Sequence, residues 1–312
     1  MLGWRFRLAV LLGLAVHAPA WAVRLAYRGQ PGQVLHYSFT LSAETETTAG
    51  GRAQTLHTHG SLDCTQEIVD VDAQGHLKVR MHFSNGLLTS ASGGHSARVP
   101  LNLPAAEVLL SSTGNVLKAQ MLPGPQPVRS AKEPPETGTA EAATDSATSA
   151  RGFESLFDQM RALGFPERDV EVGDSWSLSG SLAQPGGQPG SVAGVSQLVG
   201  VEQHSGVECA VIHSRLEIPL RSTQQLLGVS ASTDGSSTAT FTAYFDLAGG
   251  HLLELLGTDW SQRAIRLAPA PDKDARSPQP EAATLQCDCA ATFTMRLNGI
   301  GRCSATPSAT QP

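Results

Sequence analysis

The chain has 312 residues, of which 40% are apolar, 16% charged and 5% aromatic, and its formal net charge is −6. Length alone suggests about two domains, but β-rich chains often run past roughly 200 residues as one, and this apolar fraction suffices for a core. Lys and Arg are scattered through an acidic chain, so no basic surface for a phosphate backbone is expected and no nucleic-acid partner with it.

Residues 1–22 read as a signal peptide. Arg5 and Arg7 make the positive start, LAVLLGLAV the short apolar run, and Ala20-Trp21-Ala22 a cleavage site, with Ala18-Pro19-Ala20 as a second register. The run falls short of the roughly 18 to 20 residues that cross a bilayer. No other stretch is long and apolar enough, so the mature chain is expected to have no transmembrane segment. No Cys adjoins the cleavage site to carry a lipid. Cleavage removes both arginines and leaves a more acidic chain, which disfavours an anionic membrane surface. The expected location is the periplasm or the medium.

Residues 23–122 read as a first β meander. Leu35, Tyr37, Phe39 and Leu41 alternate with His36, Ser38, Thr40 and Ser42, the period of a half-buried strand. Gly50-Gly51 permits a turn, and a weaker pattern continues through Leu56, Leu62 and Ile68. Asp72 to Gly75 reads as a turn into Leu77, Val79, Met81 and Phe83, again alternating with polar residues. A further hairpin spans Glu107 to Gln120, bending at Thr113-Gly114-Asn115. Residues 123–150 are rich in Pro, Ala, Thr, Ser and Glu with almost no large apolar side chain. Such a stretch cannot offset the entropy of ordering it and reads as a disordered linker.

Residues 151–303 read as a central helix and a second meander of the same domain, before a frayed tail at 304–312. In the helix Phe153, Leu156, Phe157, Met160 and Leu163 form one apolar stripe opposite Glu154, Asp158, Gln159 and Arg161. Gly164 and Pro166 end it. A lone amphipathic helix must cover the face of a sheet. That interface either closes as a core, the default, or leaves a pocket, in which case Phe153, Phe157 and Met160 face an apolar ligand. Strands resume at Val172 to Leu178 and at Val195 to Val201, with a turn at His204-Ser205-Gly206. Ala239, Phe241, Ala243 and Phe245 alternate with polar residues. After a turn at Asp246 to Gly250, Leu252 to Leu256 put apolar residues on both faces, which predicts a central strand covered on both sides. A Pro-rich insert precedes a last strand from Thr284 to Asn298. The fold class is therefore mainly β: a curved antiparallel sheet or half-barrel of two similar meanders with one central helix.

The segments Pro31 to Tyr37, Val71 to Gly75, Ser112 to Val116, Phe165-Pro166, Val172 to Trp176, Gly206 to Ile212 and Tyr244 to Leu252 carry a resemblance. Their order, with VGDSW and YFDLxxG as the longest strings, resembles a group of uncharacterised secreted β-rich bacterial proteins. More distantly, a curved sheet with a helix across it resembles the half-barrel of periplasmic lipoprotein carriers. That second likeness concerns the fold and transmits no function.

Three sets of residues invite chemistry. Gly173-Asp174-Ser175-Trp176 is similar to the opening of GDSL-type esterases, but the only histidines after Ser175 are His204, His213 and His251, and none stands three residues after an Asp. A serine without a base is ordinary. Cys64, Cys209, Cys287, Cys289 and Cys303 are disulfide candidates in an exported chain. Their odd number leaves one unpaired or bonded between chains, and a bridge between Cys287 and Cys289 on one strand is strained. The connectivity stays open. His57 and His59 share a strand face, and they or Cys287 and Cys289 are the alternative metal ligands, lacking a third partner nearby in sequence. The leading expectation is a non-enzymatic binding or scaffold protein of the envelope, with an apolar small molecule or an envelope protein as partner and no cofactor. An esterase-like hydrolase using Ser175 and a metal-binding protein are the alternatives.

Overall fold

The computed structural model describes residues 22–122, 164–182, 190–226, 229–269 and 283–302. The leader, the linker, the predicted helix with Phe153, Phe157 and Met160, and Cys303 lie outside these residues. The described residues contain no helix. They form twelve strands: β1 (Gln33–Ala49), β2 (Arg52–Val71), β3 (Leu77–Ser92), β4 (His95–Leu101), β5 (Ala106–Leu110), β6 (Val116–Met121), β7 (Ser175–Leu182), β8 (Gly190–His204), β9 (Val207–Leu226), β10 (Val229–Asp246), β11 (His251–Pro269) and β12 (Ala283–Arg302).

All twelve belong to one curved, open antiparallel sheet in the order β6-β5-β3-β2-β1-β12-β11-β10-β9-β8-β7, with β4 paired to β3. The first meander (β1 to β6) and the second (β7 to β12) meet where the first and last strands pair, from Gln33 opposite Arg302 to Ala49 opposite Leu285. The turn residues of the sequence are the turns of the fold: Gly50-Gly51, Asp72 to Gly75 and Ser205-Gly206 sit between strands, each with its glycine at positive φ. The first-meander reading missed β4. HSARVPL lacks a strand alternation, and Pro100 withholds a backbone donor, which an edge strand tolerates.

The strands are longer than the apolar patterns that announced them, and only part of their length is core. On β1, Leu35, Tyr37 and Phe39 are buried, while the same face continues through Leu41, Ala43, Thr45 and Thr47 only half-buried. Cross-strand partners follow suit, with Leu62 and Cys64 buried on β2 and Phe293 and Met295 on β12. The expectation of two-sided cover on β11 is corrected: Leu252 and Leu255 are buried, but Leu256 on the opposite face is 39% exposed. Glu254 is the covered residue of that face. Its carboxylate takes hydrogen bonds from Arg296 (Nε to Oε1, 2.8 Å) and lies 3.1 Å from the His204 ring.

Two extended segments cover the apolar face at one end of the sheet. Residues 22–30 run across it, and residues 164–174 meet them, with Val23 and Val170 exchanging backbone hydrogen bonds of 2.8 and 3.0 Å. Leu25 and Val170 are fully buried between them. Tyr27 stacks on Phe165, with ring centroids 5.1 Å apart, and both meet Phe245 edge-on at 5.2 and 4.7 Å. Offset and edge-to-face aromatic pairs of this kind add to ordinary burial. Among the described residues, extended chain does the covering that the sequence assigned to a helix.

Candidate functional site: an apolar cavity beside Arg28

Where residues 27–28 cross the first meander, packing is incomplete. A cavity of about 120 Å³ lies between Tyr27 and Arg28 on one side and the apolar face of β1, β2, β3 and β5 on the other. The strand wall presents Leu35 and Phe39, Ile68, Val79 and Val108, one face of four neighbouring strands brought together by their register. Tyr37, also in that wall, donates its hydroxyl to the Leu252 carbonyl at 3.0 Å and so fixes β1 against the start of β11.

Arg28, Gln66 and His251 are among the residues that line the same space. Arg28 is exposed. Its backbone N–H donates to the Gly250 carbonyl at 2.9 Å. Gly250 has φ +67°, and a Cβ there would stand 2.6 Å from the Arg28 Cβ, so only glycine lets the chain pass this closely. His251 follows at once and is 5% exposed. The turn before it is built on Asp246, whose Oδ1 accepts the N–H groups of Ala248 and Gly249 at 2.8 and 2.7 Å.

The resemblance-bearing segments converge on this end of the sheet. The Ser112 carbonyl accepts the Tyr27 N–H at 2.7 Å, and the Thr113 carbonyl accepts the Phe165 N–H at 2.7 Å. Gly32, at φ +81°, donates to the Ile68 carbonyl at 2.8 Å. Trp176 donates its indole N–H to the Gly164 carbonyl at 2.8 Å. The recurring turn motifs are therefore the fastenings of the crossing segments.

The other sequence candidates fall elsewhere. Asp174 takes hydrogen bonds from Arg168 and from the Glu171 N–H, and these hold its carboxyl below the usual range. Ser175 pairs with Gln197, which in turn pairs with His213, so Ser175 and His213 are two strand spacings apart, roughly 9 to 10 Å. His57 and His59 do share the polar face, as expected, with His57 Nδ1 3.5 Å from Glu44 and His59 Nδ1 3.3 Å from Ser42 Oγ. Among the described residues no group of three His, Cys, Asp or Glu side chains is placed to hold a metal ion. The alternative metal reading gains no third ligand there.

The disulfide expectation is corrected for four of the five cysteines: Cys64, Cys209, Cys287 and Cys289 are all free. Register explains the failure. Cys64 lies opposite Tyr37 and Cys287 opposite Thr47 on the same strand, a separation of about 33 Å at the rise of a strand. A disulfide needs Cα atoms within about 7 Å. Cys287 instead meets Thr47, Sγ to Oγ1 3.6 Å. Sequence reasoning also passed over Tyr27, Arg28, Gln66 and His251. The available signal was the compressed turn Asp246 to Gly250 followed by a histidine opening an apolar strand.

No family model and no curated protein matches this chain. Among solved structures it is similar to lipovitellin, studied for its lipid–protein interactions, at 11% identity and TM-score 0.45, covering 91% of this chain and 26% of that one. The chain thus spans about a quarter of the lipovitellin chain. A COG4313 outer membrane channel from Pseudomonas putida matches at 7% identity and TM-score 0.23, over 87% of this chain and 97% of the other. A DUF1329 family protein from Desulfovibrio piger matches at 11% identity and TM-score 0.12, over 84% and 85%.

Proposed function

We propose that this is an exported, non-enzymatic binding protein of the cell envelope that holds the apolar part of a small molecule in the cavity beside Arg28. The supporting observation is the cavity itself. Protein interiors are close-packed, and side chains that line a gap forfeit dispersion contacts. An apolar group seated there restores those contacts and keeps Leu35, Ile68 and Val108 from water. At about 120 Å³ the space is near the roughly 150 Å³ scale at which an apolar cavity takes a benzene-sized ligand. The leader at residues 1–22 supports export, and no helix among the described residues is long and apolar enough to cross a membrane.

Phe153, Phe157 and Met160 lie outside the described residues; among the described ones Tyr27 and Arg28 line the cavity opposite the strands. The experiment is native mass spectrometry of the mature protein, followed by organic extraction and analysis of any released compound. A co-purifying apolar molecule, lost when Val108 is replaced by Trp, is the expected result. An apo mass together with no binding of added apolar probes contradicts the proposal.

A further inference from the structure

We propose a second site, independent of the cavity: Cys287 and Cys289 hold a Cu(I) ion between their two thiolates. Around them the register of β12 with both neighbours is regular. Both side chains therefore leave the same face of the sheet as Phe293 and Met295, and Asp288 leaves the other. Both thiols are free. Residues two apart on a strand have Cα atoms about 6.7 Å apart, near the upper limit of about 6.8 Å for a disulfide, whose sulfurs close to about 2.05 Å. An ion bridging the sulfurs asks for less closure: with thiolate–metal bonds of about 2.3 Å, a linear pair spans about 4.6 Å.

The surroundings select the ion. The ladder sets Thr47 and Arg263 beside Cys287, and Thr45 and Ser261 beside Cys289. Among the described residues no group of three His, Cys, Asp or Glu side chains is placed to hold a metal, so the pair stands without a third ligand. Zn²⁺ in a structural site takes four ligands, whereas Cu(I), a soft ion that thiolates select, is complete with two in a line. Binding releases both thiol protons: two S–H groups and Cu⁺ give two H⁺ and a bis-thiolate complex with one negative charge. A second observation answers that charge. Arg263, directly across the ladder from Cys287, has a buried Nε without a hydrogen-bond partner, and buried polar groups are almost always satisfied. The charge of Arg263 reaches Asp259 on the same face, but that carboxylate takes its hydrogen bond from Ser237. The Thr47 hydroxyl, 3.6 Å from Cys287 Sγ, becomes a donor to the sulfur once the thiol is deprotonated, the kind of outer contact that orients a metal ligand.

The test is competition for Cu(I), kept reduced by ascorbate, between the chromophoric chelator bicinchoninate and the reduced, desalted mature protein, its Cys287→Ser and Cys289→Ser variants and the double variant. Cys64, Cys209 and Cys303 remain in every one of these proteins, so they report what stray thiols bind. The expected result is one Cu(I) per wild-type chain, affinity lowered about a hundredfold or more in each single variant, and no ion retained by the double variant. Arg263→Gln is expected to weaken binding about fivefold, with part of the loss recovered in Arg263→Lys; equal binding in R263Q overturns the charge pairing. Unchanged retention in C287S/C289S, or none in wild type, overturns the site. So does Zn²⁺ retained as tightly as Cu(I) against a matched chelator. Copper X-ray absorption of the loaded wild type needs no variant to fold. Two sulfur neighbours are expected there, and a third sulfur, nitrogen or oxygen neighbour overturns the two-thiolate assignment.

Discussion

Tyr27 stacks on Phe165 with ring centroids 5.1 Å apart and an interplanar angle of 13°, so two segments outside the sheet, 138 positions apart in the chain, close its apolar face together. Phe165 is 6% exposed and also meets Phe245 edge-on. Of the crossing segments, Tyr27 and Arg28 line the cavity, opposite the wall that the sheet supplies.

Truncating that stack is expected to cost heavily. Phe165→Ala removes a buried ring from a three-ring contact, and changes of this type destabilise by about 3 to 5 kcal/mol. Urea denaturation of wild type and F165A measures it. A loss below about 1 kcal/mol would mean that residues 164–174 do not hold the face shut.

The half-buried carboxylate of Asp259 predicts a pH dependence. Burial raises its pKa above the usual carboxylate value, against the lowering pull of the Ser237 hydroxyl and of Arg263. The folded state therefore binds the proton more tightly than the unfolded chain. Stability attributable to this group is highest below the unfolded value of about 3.9 and falls as pH rises through that value to the raised folded one. Asp259→Asn keeps a hydrogen-bonding side chain and cannot titrate. The expected outcome is that stability of wild type relative to D259N declines between about pH 4 and neutrality. A difference that is flat over that window contradicts the assignment.

The four free cysteines differ in reactivity. Burial pushes the Cys64 thiol up to about 12, and burial with Asp246 alongside pushes Cys209 up to about 11. The thiolate is the nucleophile, so both resist alkylation in the native state. Cys289 is half-buried and is expected to react first when iodoacetamide-treated protein is mapped by peptide mass. Early labelling of Cys64 would contradict the packing of β2 against β1.

Ester hydrolysis tests the rival class directly. With His213 two strands from Ser175, Ser175→Ala is expected to leave background turnover of generic nitrophenyl esters unchanged. A fall of tenfold or more would restore the hydrolase reading; a serine acting with a base contributes at least about that much.

How much of this was legible in the sequence follows from what each signal encodes. Alternation at Leu35 to Leu41 and Ala239 to Phe245 records which face a residue takes, and glycines at tight turns record where the chain reverses, so two meanders and their hairpins were readable. The β1–β12 pairing was not, because a ladder between Gln33–Ala49 and Ala283–Arg302 leaves no local trace. The cavity was invisible for the same reason: Arg28 and His251 are joined through Gly250, and only the closing of the sheet brings residue 28 to residue 250. The cysteines could be named as disulfide candidates, but sequence carries no information on how far apart Cys64 and Cys287 fall along paired strands. VGDSW looked catalytic because a Gly-Asp turn entering a strand has the same letters in a fastening as in an active site.

The most direct test of the account uses a neutral probe of the cavity's size. Saturating benzene is added to wild type and to Val79→Phe, whose ring would occupy the space lined by Ile68 and Val108, and thermal unfolding is followed for each. Binding to the folded state alone raises stability by RT ln(1 + [L]/Kd), about 2.7 kcal/mol at a hundredfold excess over Kd. The account predicts a higher Tm with benzene in wild type and none of that shift in V79F. An equal shift in both proteins, or none in either, would contradict it.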